Sequence, residues 1–176
     1  MVNEAEPSSG QGGTAGGASM EGRFSGRLAF QQGVRDALAM AHAENWREII
    51  FCDLDFADWP LAERAVAEAL QQWSATGRKF TMLARSYEPL IRTQHRFVQW
   101  RRQWAHIIEC RGCRSAEPSD FPSGIWSPAW ALDRRDPVRS VGVMGRDPVM
   151  RVAQRERLTE WLQKSTPAFP ASTLGL

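Results

Sequence analysis

Apolar positions recur along this chain with more than one period. Phe30, Val34, Ala37, Leu38 and Ala41 follow the i, i+4, i+7, i+8, i+11 spacing that lays side chains on one helical face. Ile49 to Phe56 is a short apolar run instead, long enough for a strand and too short for a helix. Lys79 to Arg85 and the phrase HIIECRGC (106–113) read as two further strands. Between the first two strands Asp58 can cap a helix with Pro60 in its first turn. That helix would bury Ala62, Ala65, Ala69 and Trp73 and stop at Gly77. Ser86 caps a longer helix that runs to about Ala105, with Pro89 in its first turn. IWSPAWALD (125–133) and RSVGVMG (139–145) read as strands joined by the turn RRDP. Asp147 and Pro148 open a last helix with Val149, Val152, Ala153, Leu158, Trp161 and Leu162 inward.

Helices alternating with strands, followed by a late strand pair, predict an α/β domain. The expectation is a mixed sheet of about five to six strands flanked by helices. Upstream, residues 1–23 are rich in Gly, Ser and Ala and read as a disordered leader, so folded structure is expected from Phe24. Residues 24–165 form the domain, and 166–176, apolar and broken by Pro, form an extended tail packed on it.

Composition narrows the function classes. The chain has 176 residues and a net charge of only +2, so no global attraction to nucleic acid or membrane follows. Lysine occurs only at 79 and 164, and arginine carries the rest of the positive charge. Cys52, Cys110 and Cys113 are an odd number without secretory flanks, which points to the cytoplasm. No apolar run reaches the ~20 residues a membrane helix needs. The eight Trp suit a packed core and leave open an exposed interface anchor, and with it homo-oligomerisation.

Four features bear on chemistry. Asp53 and Asp55 end the first strand and share a face at roughly 7 Å. They sit at the carboxyl edge, where open α/β sheets bind ligands. The favoured reading is that they cap loop amides or pair with arginines, because a buried carboxylate without a partner is costly. The Asp-x-Asp also resembles the first motif of the haloacid dehalogenase-like phosphohydrolases. That resemblance implies Asp53 as nucleophile, Asp55 as acid/base, Ser86 as a further site residue and magnesium between the aspartates. Phe56 and Ala57 depart from the family's pattern, and its lysine and acidic cluster have no clear equivalents.

Cys110 and Cys113 form a Cys-x-x-Cys with His95 and His106 upstream, but the spacing matches neither a usual zinc site nor a helix-opening redox pair. No metal is favoured. Arg92, Arg96, Arg101 and Arg102 lie among Phe97, Trp100 and Trp104 on the long helix. The aromatics form a packing stripe, and the arginines are its rim and the best candidate surface for phosphate or exposed bases.

Finally, the element order and the phrases DLDFADWPL, RFVQWRRQW and FPASTLGL resemble an uncharacterised proteobacterial domain group with a phospholipase D-like half-domain fold. Active members of that superfamily carry His-x-Lys-x4-Asp. Here His42, His95 and His106 are followed two places on by Glu44, Phe97 and Ile108, so no position inherits the catalytic role. The reading is a non-catalytic cytoplasmic α/β domain that binds a phosphate-rich ligand, nucleic acid or a protein partner. The magnesium-dependent phosphohydrolase is the alternative.

Overall fold

The computed structural model describes residues 20–171. In chain order these give β1 (Gly22–Ser25), α1 (Arg27–Ala43), β2 (Glu48–Asp53), α2 (Arg64–Ser74), β3 (Lys79–Ala84) and α3 (Glu88–Thr93). There follow α4 (His95–Gln103), β4 (Ile108–Gly112), β5 (Gly124–Trp126), β6 (Ala131–Asp136), β7 (Val141–Gly145), α5 (Pro148–Lys164) and β8 (Thr166–Pro167). All strands join one sheet in the order β1-β7-β6-β5-β2-β3-β4-β8. β2, β3 and β4 are parallel, and every other pairing is antiparallel. The domain is therefore α/β with a mixed sheet flanked by helices.

Alternation along β2 separates the two faces, as a pleated strand requires. Ile49 and Phe51 enter a core with Phe30, Val34 and Leu38 of α1, Leu70 and Trp73 of α2, and Phe97 and Trp100 of α4. Ile50 and Cys52 point the other way, onto Leu158 of α5, with Leu83 and Trp126. Phe80 is the hub of the larger core, its ring centroid 4.8 Å from Phe51, 5.1 Å from Trp100 and 5.7 Å from Trp73. Edge-to-face packing of this kind suits the quadrupoles of aromatic rings. Their polar edges are satisfied too: Trp73 Nε1 donates to the Trp46 carbonyl and Trp100 Nε1 to Ser74 Oγ. No Trp is left exposed, so none offers a bare interface anchor.

Several expectations need correction. The sheet has eight strands, not five or six. Ser127 accepts from the amides of Ala129 and Trp130 and splits IWSPAWALD into the β5–β6 hairpin. Two short edge strands, β1 and β8, add the rest. Structure begins before Phe24, since Gly22–Ser25 pairs with β7 and the Met20 carbonyl accepts from Trp130 Nε1. Of the leader expected over 1–23, residues 1–19 lie outside the described residues, as do the tail's last residues, 172–176.

The long helix from Ser86 is broken at Gln94, which leaves helical geometry at ψ 53°. Its buried side-chain amide is drawn inward to the Trp59 carbonyl at 3.0 Å, and that tertiary bond replaces helix continuity. Asp58 caps nothing; α2 starts at Arg64 and buries Val66, Leu70 and Trp73 rather than an alanine stripe. On α5, Val149 and Val152 face solvent at 77% and 56% exposure, and Gln154 and Leu158 take the inward positions.

Gly124 starts β5 at φ 153°, and a Cβ there would sit 2.0 Å from the Leu132 carbonyl oxygen. Gly124→Ala should therefore destabilise the domain by about 3 kcal/mol or more, measured by urea unfolding at constant m-value. A loss under about 0.5 kcal/mol would show that the β5–β6 pairing relaxes around it.

Candidate binding cleft at the carboxyl edge of the sheet

The carboxyl ends of β2, β3 and β4 carry two different constellations. At β2, Asp53 is buried at 2% exposure and all its acceptor directions are used. Its Oδ2 accepts from the amides of Phe56 at 2.9 Å and Asp55 at 3.3 Å, while Oδ1 accepts from Ser123 Oγ at 2.6 Å and Arg134 at 2.8 Å. Arg134, itself 4% exposed, reaches across from β6. It also donates to Asp58 Oδ2 at 2.7 Å and to Ser123 Oγ at 2.9 Å, and its guanidinium lies 4.0 Å over the Phe30 ring. Every polar group in this network has a partner, which is the condition for burying charge.

Asp55 does not join Asp53. It is half-buried, and its Oδ1 accepts from the Ala57 amide at 2.9 Å, closing the turn that Phe56 enters at φ 58°. Ser86, the third residue implied by the phosphohydrolase resemblance, lines a separate cleft and accepts from the Glu88 amide. The structure thus groups Asp53 with Arg134, Asp58 and Ser123. Of these Arg134 and Ser123 were not singled out by the sequence. The only hint was an arginine-rich turn phrase, RRDP, whose first arginine continues the strand.

At β3 and β4 the edge opens into a cleft of about 670 Å³. Arg85 follows β3, Arg114 follows β4, and Arg92 overhangs from α3. All three are exposed. Arg85 Nε is braced by the Ala116 carbonyl at 3.0 Å, and Arg92 pairs with Glu88 at 2.7 Å. Three guanidiniums face one carboxylate in the lining, a local surplus of two positive charges. Tyr87, Ile91, Phe169 and Pro170 supply apolar wall. Tyr87 is buried, with its hydroxyl on the Arg111 carbonyl at 2.9 Å, and burial raises its pKa well above the ordinary phenol value.

The four arginines read as one surface do not share one. Arg92 lines this cleft. Arg96 lies in a groove between α2 and α4 and donates to the Ala62 carbonyl. Arg102 is exposed, and Arg101 is buried at 6% exposure against Cys110 Sγ, 3.2 Å away.

The Cys-x-x-Cys is likewise split. Cys110 belongs to the core under α1, α2 and α4, whereas Cys113 packs with the α5 face of the sheet. Burial pushes the Cys110 thiol up to about 11 against the pull of Arg101, and it raises Cys52 and Cys113 as well. Among the described residues no three His, Cys, Asp or Glu side chains come together in a group that could hold a metal ion. No helix there is long and apolar enough to cross a membrane.

Fold and site together define a three-layer α/β domain with a basic, aromatic-walled cleft at the carboxyl edge of its parallel strands. No protein-family model matches the chain, and no curated protein does. Among solved structures it is similar to TrmBL2, an archaeal chromatin protein whose structure is described as showing a novel mode of DNA binding. The TM-score is 0.60 at 14% identity, over 86% of this chain and 54% of that one. The chain thus spans about half of TrmBL2, and at this identity the likeness is one of fold.

Two outcomes test the geometry. Asp53→Asn leaves the buried Arg134 with only the partly exposed Asp58 as counter-charge and should cost about 3 kcal/mol in urea unfolding; Asp58→Asn, whose side chain is 28% exposed, should cost less. Mild oxidation of the native protein should yield no Cys110–Cys113 disulfide by peptide mass, because the two cysteines pack into cores on opposite faces of the sheet.

Proposed function

We propose that this is a non-catalytic cytoplasmic binding domain for a phosphate-rich partner, with nucleic acid as the ligand best supported. The observation that carries the reading is the cleft of Arg85, Arg92 and Arg114 beside an aromatic wall. Guanidiniums recognise phosphate through paired hydrogen bonds, and flat apolar walls accept bases. The carboxyl edge of parallel strands is the general ligand position of such sheets. The DNA-binding description of TrmBL2 supports nucleic acid as the partner to test first. A cytoplasmic location fits three free cysteines.

The phospholipase D-like half-domain belongs to the same proposal, as a scaffold without the superfamily's chemistry. His42, His95 and His106 are exposed and stand on α1, at the start of α4 and before β4, each without a lysine two places on.

Binding should be salt-dependent. For single-stranded DNA each phosphate contact contributes about 0.7 to the slope of log K against log salt. Arg92→Ala combined with Arg114→Ala should therefore lower the slope by roughly 1.4 in fluorescence anisotropy. Arg64→Ala, in the separate groove between α2 and α4, should leave it unchanged. If wild type binds neither DNA nor RNA at low salt, the nucleic-acid reading fails.

A further inference from the structure

Arg101 is the anomaly of the fold. It is buried, it forms no ion pair among the described residues, and its NH1 has no hydrogen-bond partner. Its remaining contacts are weak for a buried cation: Cys110 Sγ at 3.2 Å, the Phe169 carbonyl at 3.4 Å and the Phe169 ring at 5.8 Å. A buried charge without a counter-charge is costly, so such a residue asks for an anion.

What closes over it is the segment after α5. β8 pairs with β4 through two residues only, and the Ala168 amide adds one bond to the Cys110 carbonyl. Phe169 then adopts φ 45°, a conformation disfavoured for a bulky L-residue, and lays its ring 5.3 Å from Tyr87. Ala168 and Pro170 line the basic cleft on one side of this strap and the Arg101 cleft, of about 430 Å³, on the other. The strap is thus the partition between three exposed arginines and a fourth that is buried.

Resting on the proposed function, we propose that the ligand is single-stranded nucleic acid, and that one base displaces the Phe169 ring from Tyr87 while Arg101 joins Arg85, Arg92 and Arg114 on the backbone phosphates. Phe169 holds the base position closed. A cleft of this volume takes a nucleotide or two, not a duplex, whose bases are read by an element that enters a groove. Stacking on an aromatic ring with guanidiniums along the backbone is the general recipe for single strands. With the strap closed in most molecules, apparent affinity is lowered by the fraction open.

The test uses the full chain with oligo-dT, a DNA duplex and inorganic polyphosphate as probes. Phe169→Ala should tighten oligo-dT binding by about tenfold and tighten polyphosphate, which gains Arg101 but has no base to stack, by clearly less. Adding Arg101→Gln should return oligo-dT affinity to about the wild-type level. In wild type, hydrogen exchange at the Ala168 amide should quicken on saturation with oligo-dT, a readout that needs no variant to fold. Unchanged or weaker oligo-dT binding by a folded Phe169→Ala variant overturns the strap inference. So does an equal gain for polyphosphate, or exchange at Ala168 that stays the same or slows. In those cases salt-dependent binding through Arg92 and Arg114 still upholds the proposed function. Absence of binding to every probe by wild type and variant overturns both.

Discussion

The ion pair between Arg134 and Asp53 fastens the one place where this sheet changes character. β2 bonds β3 in parallel on one side and β5 antiparallel on the other, so the two halves of the domain meet along its length. Arg134 spans that seam from β6, over β5, to the end of β2, while Ser123 bridges the same two groups from just before β5. Its stacking on Phe30 brings α1 into the junction. A buried pair of this kind adds little net stability against a well-packed apolar alternative. It adds specificity instead. A one-residue slip of β6 would turn Arg134 to the other face and strand Asp53 without its counter-charge.

The same network decides which part of the carboxyl edge is left for a ligand. Asp53 is enclosed, and Asp58 is tied to Arg134, so the loop from Phe56 to Leu61 is held against the sheet. Gln94 then grips that loop through the Trp59 carbonyl, and this separates α3 from α4. The break lets α3 turn Arg92 toward the ends of β3 and β4, where it meets Arg85 and Arg114. A continuous helix through Gln94 would have carried its arginines along one rim. With the carboxylates of β2 matched by their own arginine, little negative charge opposes the cleft.

The periods of apolar residues made the scaffold legible: the buried stripe of α1 is the expected one, and β2 and β3 lie where short apolar runs place them. Elements fixed by distant partners were not legible. Nothing local to RRDP says that its first arginine is a core residue, because its partners stand at positions 53, 58 and 123. Gln94 looks like any polar residue of a helix until the Trp59 carbonyl, in a separate loop, is beside it. On α5 valines sit at helical spacing yet face water, because the face turned to the sheet is the one on which Gln154 is held inward by the Leu132 carbonyl. The edge strands β1 and β8 have too few residues to show a period at all.

The site was half legible for the same reason. Sequence could find arginine among aromatics, but the residue type serves several physical ends in this chain. Arg134 neutralises a buried carboxylate, Arg111 holds Ser165 at the start of the tail, and Arg35 pairs with Glu63 between α1 and the approach to α2. Only those that keep a face toward solvent at a strand end can exchange counterions for a ligand's phosphates. A cation fixed to protein acceptors releases no counterion when a strand binds, so it strengthens the fold without adding to salt-dependent affinity. The net charge of +2 is therefore a poor guide to what this domain holds, and the sorting of its arginines by what they already touch is the better one.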